Sequence, residues 1–377
     1  MTVYLDYNAG APVRPEAQAA AVAALAEGAN PSSIHAPGRR AKARLETARE
    51  QVARAVGARG DNLVFTSGAT EALHLAMNAP LGVVQRLIVS GIEHDAVEEY
   101  ASLAFSEVAG LGVSAEGVID LAQLEALLAE SAEPALVALQ LANNETGAVQ
   151  PISEAARLVR AAGGLLLVDA AQALGRMPVD LGALRAHYLV VSSHKIGGPA
   201  GAGALALAPG APYTADRRGG GQERGRRPGT ENVPAIAGFG AAAAACVAAL
   251  PEEPARLCAL RDAFEAGLRT RFPDAAVFVA QAPRLPNTSL FALPGLAAET
   301  AVIALDLEGV AVSSGAACSS GKVGESRVLA AMGVEAALAR CALRVSFGWA
   351  SREADVGAAL HALARVFART TQLKGAA

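Results

Sequence analysis

Metal-binding and disulfide patterns are missing from this chain. Its 377 residues include four cysteines, Cys246, Cys258, Cys318 and Cys341, and six histidines. There is no Cys-x-x-Cys pair and no two histidines stand at ligand spacing, which speaks against a structural zinc site and leaves no metal ligand to assign. Cysteines so few and irregularly spaced fit a reducing compartment, so a cytoplasmic location is expected. An excess of one charge is missing too. The formal net charge is −4, which gives neither nucleic acid nor an anionic membrane an electrostatic reason to bind. The start, MTVYLDYNAGAPVRPE, lacks a basic stretch followed by an apolar run, so no signal peptide is expected. The single candidate span, VPAIAGFGAAAAACVAAL (233–250), is built from weakly hydrophobic alanine and glycine and borders the ~17-residue minimum. It reads as a buried helix. No internal repeat or low-complexity linker interrupts the chain.

What is present describes a folded protein. Hydrophobic residues make up 52% and charged residues 18%, and the length suits two packed domains better than one small core. Short apolar runs mark strands: NLVFTS (62–67), RLIVSG (86–91), ALVALQLA (135–142), GLLLVDAA (164–171), HYLVVSS (187–193) and GALALA (203–208). Between most of them lie helical patterns such as ISEAARLVRAAG, apolar at i, i+3, i+4 and i+7. Continuous apolar strands separated by helices predict an α/β fold with a parallel sheet covered on both faces. After residue 250 the order changes: a helix (254–271), AAVFVA, NTSLFAL, a helix through AETAVIALDLEG, VAVSSG, a further helix, and CALRVSFG. This α+β pattern predicts a second, smaller domain.

Ligands of open α/β sheets bind beyond the carboxyl ends of the strands. After LVFTS comes GATEA, where a glycine turn and Thr70 at a helix start suit a phosphate. RLIVSG is followed by His94, and LVALQLA by NNETG with Asn144. GLLLV ends in Asp169, with Gln172 three residues on, and HYLVV ends in Ser192, His194 and Lys195. Each signal alone has an ordinary reading as a cap, turn or surface residue. Together they bring a phosphate site, an imidazole, an amide, a carboxylate and an amine to one sheet edge. A lysine amine forms Schiff bases, and a carboxylate keeps a pyridinium nitrogen protonated, so the set suits pyridoxal 5′-phosphate.

The sequence resembles the cysteine desulfurases of the class V aminotransferase family, the nitrogen-fixation and iron–sulfur-cluster group. The resemblance runs almost end to end through YLDYNAGAP, NPSSIHAPGR, FTSGATEA, EHDAV, NNETG, VDAAQALG, SSHKIGGPAG, GGGQERGRRPGTENV, SSGAACSSG and LRVSFG. It implies the fold type I of pyridoxal-phosphate transferases: a large domain (16–250) with a mostly parallel seven-stranded sheet between helices, and a small α+β domain (1–15 and 251–377) carrying the cysteine loop. Lys195 would hold the cofactor covalently and then take the substrate α-proton. Asp169 would pair with the ring nitrogen, and Asn144 and Gln172 with the phenolic oxygen. Ala69, Thr70, Ser192 and His194 would bind the phosphate, joined by Thr230 from a neighbouring subunit, which implies a homodimer. His94 would stack on the ring and serve in proton transfer. Arg344 would clamp the carboxylate of L-cysteine, with Asn144 also contacting the substrate, and Cys318 would accept the sulfur as a persulfide for an iron–sulfur scaffold or sulfur-carrier protein.

The segment around Cys318, VSSGAACSSGKVGESRVLAAMG, has a competing reading as a phosphate cradle. A P-loop needs Gly, four residues, then Gly-Lys-Ser/Thr. Here five residues lie between Gly315 and Gly321 and Val323 replaces the hydroxyl, so a nucleotide-binding scaffold is disfavoured. Selenocysteine lyase-type or other class V chemistry is the alternative within the enzyme class. Cys246, Cys258 and Cys341, in apolar helical or strand-like surroundings, read as small buried hydrophobes. Cys318, among Ser, Gly and Ala, does not.

Overall fold

The computed structural model describes residues 2–315 and 326–375, with side chains to residue 370. The chain begins with a short strand, Val3–Tyr4 (β1), and its next seven strands form one sheet. These are Leu63–Thr66 (β2), Arg86–Ser90 (β3), Glu107–Leu111 (β4), Ala135–Gln140 (β5), Leu165–Asp169 (β6), Tyr188–Ser192 (β7) and Gly203–Leu207 (β8). Their order is β2-β8-β7-β6-β5-β3-β4. Neighbours from β4 to β7 pair in parallel, while β8 runs against both β7 and β2. The expected α/β fold with a mostly parallel seven-stranded sheet is therefore the observed one.

The apolar runs follow from burial on both faces. Along β5, Val137 and Leu139 join the core under the helices Ala36–Ala55, Ile152–Ala161 and Val233–Ala249, while Leu136 and Ala138 join the core under Ala69–Asn78. Alternate side chains point to opposite faces, so both sets are apolar. Fully burying each Leu or Val contributes about 1.5–3 kcal/mol. Strand β4 escaped the sequence reading because it lies at the sheet edge. Of its five residues only Leu111 is buried.

The alanine-rich segment 233–250 is a helix, Val233–Ala249, set into the core. Its small residues permit close backbone approach: a Cβ on Gly240 would stand 2.6 Å from Ala48 Cα. Among the described residues no single helix is long and apolar enough to cross a membrane.

The remaining strands form a separate layer. Thr288–Ala292 (β10) pairs antiparallel with Ala276–Val277 (β9) and Ala342–Ser346 (β13), and Ser313–Ser314 (β12) closes the other edge. Val310–Ala311 (β11) instead pairs in parallel with β1. VAVSSG is thus two strands in two sheets rather than one. AAVFVA yields only two strand residues, because Val279 turns into the left-handed region at φ 55°. This layer has its own apolar core, with Leu5 from the N-terminus among Leu260, Phe264, Phe291 and Phe347. We propose the division into 16–250 and 1–15 plus 251–377 on that separation of cores. Cys246 and Cys341 are buried as expected. Cys258 is not: it is partly exposed, and its Sγ donates to Asp262 at 3.3 Å.

Candidate active site

A cavity of about 320 Å³ opens at the carboxyl ends of the sheet, within the ~300–1,000 Å³ typical of small-molecule sites. Its lining includes Ala69, Thr70, His94, Asn144, Asp169, Gln172, His194 and Lys195. Eight residues chosen from strand ends thus meet at one site. Ser192 stands behind it, its Oγ 3.0 Å from His194 Nδ1. Thr230 is exposed and Arg344 is buried, and neither is part of this lining. Cys318 lies outside the described residues.

One end of the cavity suits an anion. Ser67 and Gly68 turn into the helix Ala69–Asn78, whose first amides have no intrahelical acceptor. The turn is fixed by a 2.8 Å bond from Thr66 Oγ1 to Gly68 O and a 2.6 Å bond from Ser67 N to Glu71 Oε2. Glu71, unassigned from sequence, also accepts from Arg217 and Arg227. Burial works against its ionisation, but Arg227 and the Ser67 amide hold its carboxyl down at about 2. Strand β8 backs the turn so closely that a Cβ on Gly203 would lie 2.5 Å from the Gly68 carbonyl carbon. Across the opening, burial together with the charges of Lys195 and Arg176 depresses His194 to about 4, so at neutral pH it is an uncharged hydrogen-bonding group.

The middle of the cavity is set by the other strand ends. His94 caps the helix Asp95–Ala104, and its Nδ1 accepts from Ala96 N at 3.0 Å. Capping fixes the tautomer: the neutral ring carries its proton on Nε2 and donates from there. Asp169 Oδ1 accepts from Ala171 N at 2.9 Å. Burial raises its carboxyl, and the Ala171 amide, His94 and Lys195 work the other way. Gln172 Nε2 donates to Asn8 O (2.8 Å), and its Oε1 accepts from Arg176 (2.9 Å). Lys195 Nζ donates to Asn8 O (2.5 Å) and Ala9 O (3.0 Å).

Arg344 rises from β13 and is 1% exposed. Its guanidinium donates to Asp6 Oδ1 at 2.7 Å and to the Asn144 carbonyl at 2.9 Å, while Ser313 Oγ donates to the other Asp6 oxygen. Its Nε is buried without a hydrogen-bond partner among the described residues. The guanidinium expected to clamp a substrate carboxylate therefore already holds an internal one, one peptide away from the cavity wall at Asn144.

Sequence reading missed Asp6, Asn8, Gln140 and Glu93. Asp6 and Asn8 stand in YLDYNAGAP, a motif without a strand-end position to flag it. Gln140 is the last residue of β5, hidden in an apolar run, and its Nε2 donates to Ile92 O at 2.5 Å. Glu93 adjoins His94, is 4% exposed and accepts from Ser90 Oγ at 2.5 Å, while its Oε2 has no hydrogen-bond partner within normal geometry among the described residues. Burial pushes its carboxyl up to about 8. Near pH 4 both folded and unfolded chains carry this proton. As pH rises the unfolded chain ionises first, so Glu93 costs stability progressively up to about pH 8. Glu93→Gln is expected to raise stability at pH 8 by on the order of 3–5 kcal/mol and to change it little near pH 4.5. Denaturant unfolding at the two pH values measures this.

The aminotransferase class-V family model matches residues 3–358. The chain belongs to the class-V aminotransferase family. Among curated relatives, a cysteine desulfurase of Cereibacter sphaeroides is 39% identical, the alignment covering 96% of this chain and 94% of that one. The IscS cysteine desulfurase of Dictyoglomus turgidum is 36% identical, with 97% and 94% covered. Among solved structures, the NifS-like protein of Rickettsia africae superposes with a TM-score of 0.90 at 32% identity, covering 97% of this chain and 99% of that one.

Class-V enzymes use pyridoxal 5′-phosphate, and it is the cofactor of this chain. The donor set fits it. The cavity brings one lysine amine, one half-buried carboxylate, one imidazole on a capped helix and one helix N-terminus with a hydroxyl to a single cleft. Among the described residues lining the cavity there is no arginine, so an anion at that end would be met by the helix N-terminus and neutral donors.

Proposed function

We propose that this chain converts L-cysteine to L-alanine with pyridoxal phosphate and passes the sulfur to its own Cys318. The observation that carries the reading is the convergence of Lys195, Asp169 and His94 on one cavity in a class-V chain. Bound cofactor supplies an electron sink conjugated to the substrate α-carbon. Lys195 holds the cofactor through Nζ and, once freed, takes the α-proton. Asp169 keeps a negative charge beside the ring nitrogen. His94 packs against the ring and donates from Nε2. Thr70, the first amides of its helix and His194, braced by Ser192, hold the phosphate, while Asn144 and Gln172 face the phenolic oxygen. Arg344 would meet the substrate carboxylate on exchanging its bond to Asp6. The Cys318 thiolate attacks the substrate sulfur: the Cβ–S bond breaks, an S–S bond forms, and the carbon takes a proton. Enzyme thiol and cysteine thus become enzyme persulfide and alanine, with no external oxidant.

The exposed Thr230, outside its own chain's cavity, supports a homodimer in which it reaches the partner's phosphate. The persulfide acceptor is an iron–sulfur scaffold or sulfur-carrier protein, and the setting is the cytoplasm. The test is covalent. Borohydride reduction should fix the cofactor on Lys195, and Lys195→Ala should lose the yellow chromophore and all alanine production. A colourless wild-type protein, or a cofactor fixed elsewhere, would overturn the reading.

A further inference from the structure

The carbonyl of Asn8 accepts from both Lys195 Nζ and Gln172 Nε2, so one peptide oxygen gathers two groups that face the cavity. Asn8 itself is 1% exposed and firmly tied. Its N–H donates to Ser346 Oγ (3.0 Å), its Nδ2 to Asn144 O (3.0 Å) and Thr288 Oγ1 (2.9 Å), and its Oδ1 accepts from Asn287 Nδ2 (3.1 Å). Ser346 is the last residue of β13 and Thr288 the first of β10, and neither lines the cavity. Strands of the second layer thereby set the direction of a carbonyl, on their own N-terminal segment, that receives a lysine of the first.

We propose that Asn8 is a positioning residue for Lys195: its carbonyl, aligned by these side-chain bonds, acts with that of Ala9 to receive the amine whenever it is not joined to the cofactor. The inference rests on Lys195 being the cofactor-bearing lysine. Lysine is a flexible four-carbon stem ending in three donors. A residue that releases and recaptures one partner each turnover gains from a fixed resting point near the reacting carbon. A carbonyl oxygen only accepts, so while Nζ donates to both it is held in place and kept from other partners until it leaves them.

Two variants test this. Asn8→Ala removes the side-chain ties. Thr288→Val removes one of them from β10 without changing shape. In the cofactor-stripped full chain at pH 8, acetic anhydride labelling of Lys195 is expected to rise about fivefold in Asn8→Ala and less in Thr288→Val, the loss expected of one or two net hydrogen bonds. The exposed Lys42 serves as internal control. In the holoenzyme kcat should fall about tenfold, with KM for L-cysteine within about twofold. Unchanged Lys195 labelling in both variants would sink the proposal. So would a loss of activity matched by lost cofactor and lower Tm with labelling unmoved, since that marks a structural role. Failure of the underlying reading shows separately, as wild-type borohydride adduct on a lysine other than Lys195.

Discussion

Cys318→Ser is expected to keep the cofactor and its visible absorbance and to drop alanine and sulfide production from L-cysteine at least about a thousand-fold. The reason is the nucleophile. A free thiol with pKa ~8.5 is a few per cent thiolate at neutral pH, and that fraction is intrinsically reactive toward sulfur. A serine hydroxyl is un-ionised and has no comparable affinity for sulfur. Apart from Thr230, everything assigned to cofactor binding comes from strand ends 67–70, 94, 140–144, 169–172 and 192–195, so the chromophore should survive. Mass spectrometry of the wild-type peptide after L-cysteine should show one added sulfur on Cys318. Wild-type turnover by Cys318→Ser with dithiothreitol as acceptor would remove Cys318 from the reaction.

The second large effect is at Asp169. Asp169→Asn keeps the shape and removes the charge proposed to face the ring nitrogen. Breaking a buried charge pair by neutralising one partner costs about 3–5 kcal/mol. Most of that falls on the step in which the ring must accept electrons, so kcat should fall about 10²–10⁴-fold. Burial already pushes Asp169 toward its neutral form in the isolated chain, and a cation beside it reverses that tendency. The absorbance band should therefore shift in Asp169→Asn while cofactor content stays near wild type. Wild-type kcat in this variant would show that the carboxylate only caps the turn through Ala171.

The parts of this molecule legible in sequence are those where one physical demand acts alone. Strands β3, β5, β6, β7 and β8 are buried on both faces and so are written as apolar runs. The residues that follow four of these, and those after β2, stand out as polar punctuation at positions where ligands bind. Strand β4 satisfies two demands, pairing on one side and solvent on the other, and its Glu107-Val108-Ala109-Gly110 resembles a loop. Asp6, Asn8 and Glu71 were opaque for another reason. Each acts on the site through a partner remote in sequence, Asp6 and Arg344 being 338 positions apart and Glu71 and Arg227 156 apart. No local pattern encodes such a pair.

The parallel pairing of β1 with β11 has a consequence for biosynthesis. Val3, Leu5 and Asn8 bond to Gly309, Ala311 and Ser346, the last of these 338 positions later. During translation at about 5–20 residues per second, the N-terminal segment emerges on the order of tens of seconds before its partners exist. The large sheet can close behind it, yet the carbonyls that receive Lys195 are not anchored until β10 and β13 have left the ribosome. The nascent chain therefore passes through a stage with its main core assembled and its lysine unplaced, and productive cofactor capture belongs to the finished polypeptide.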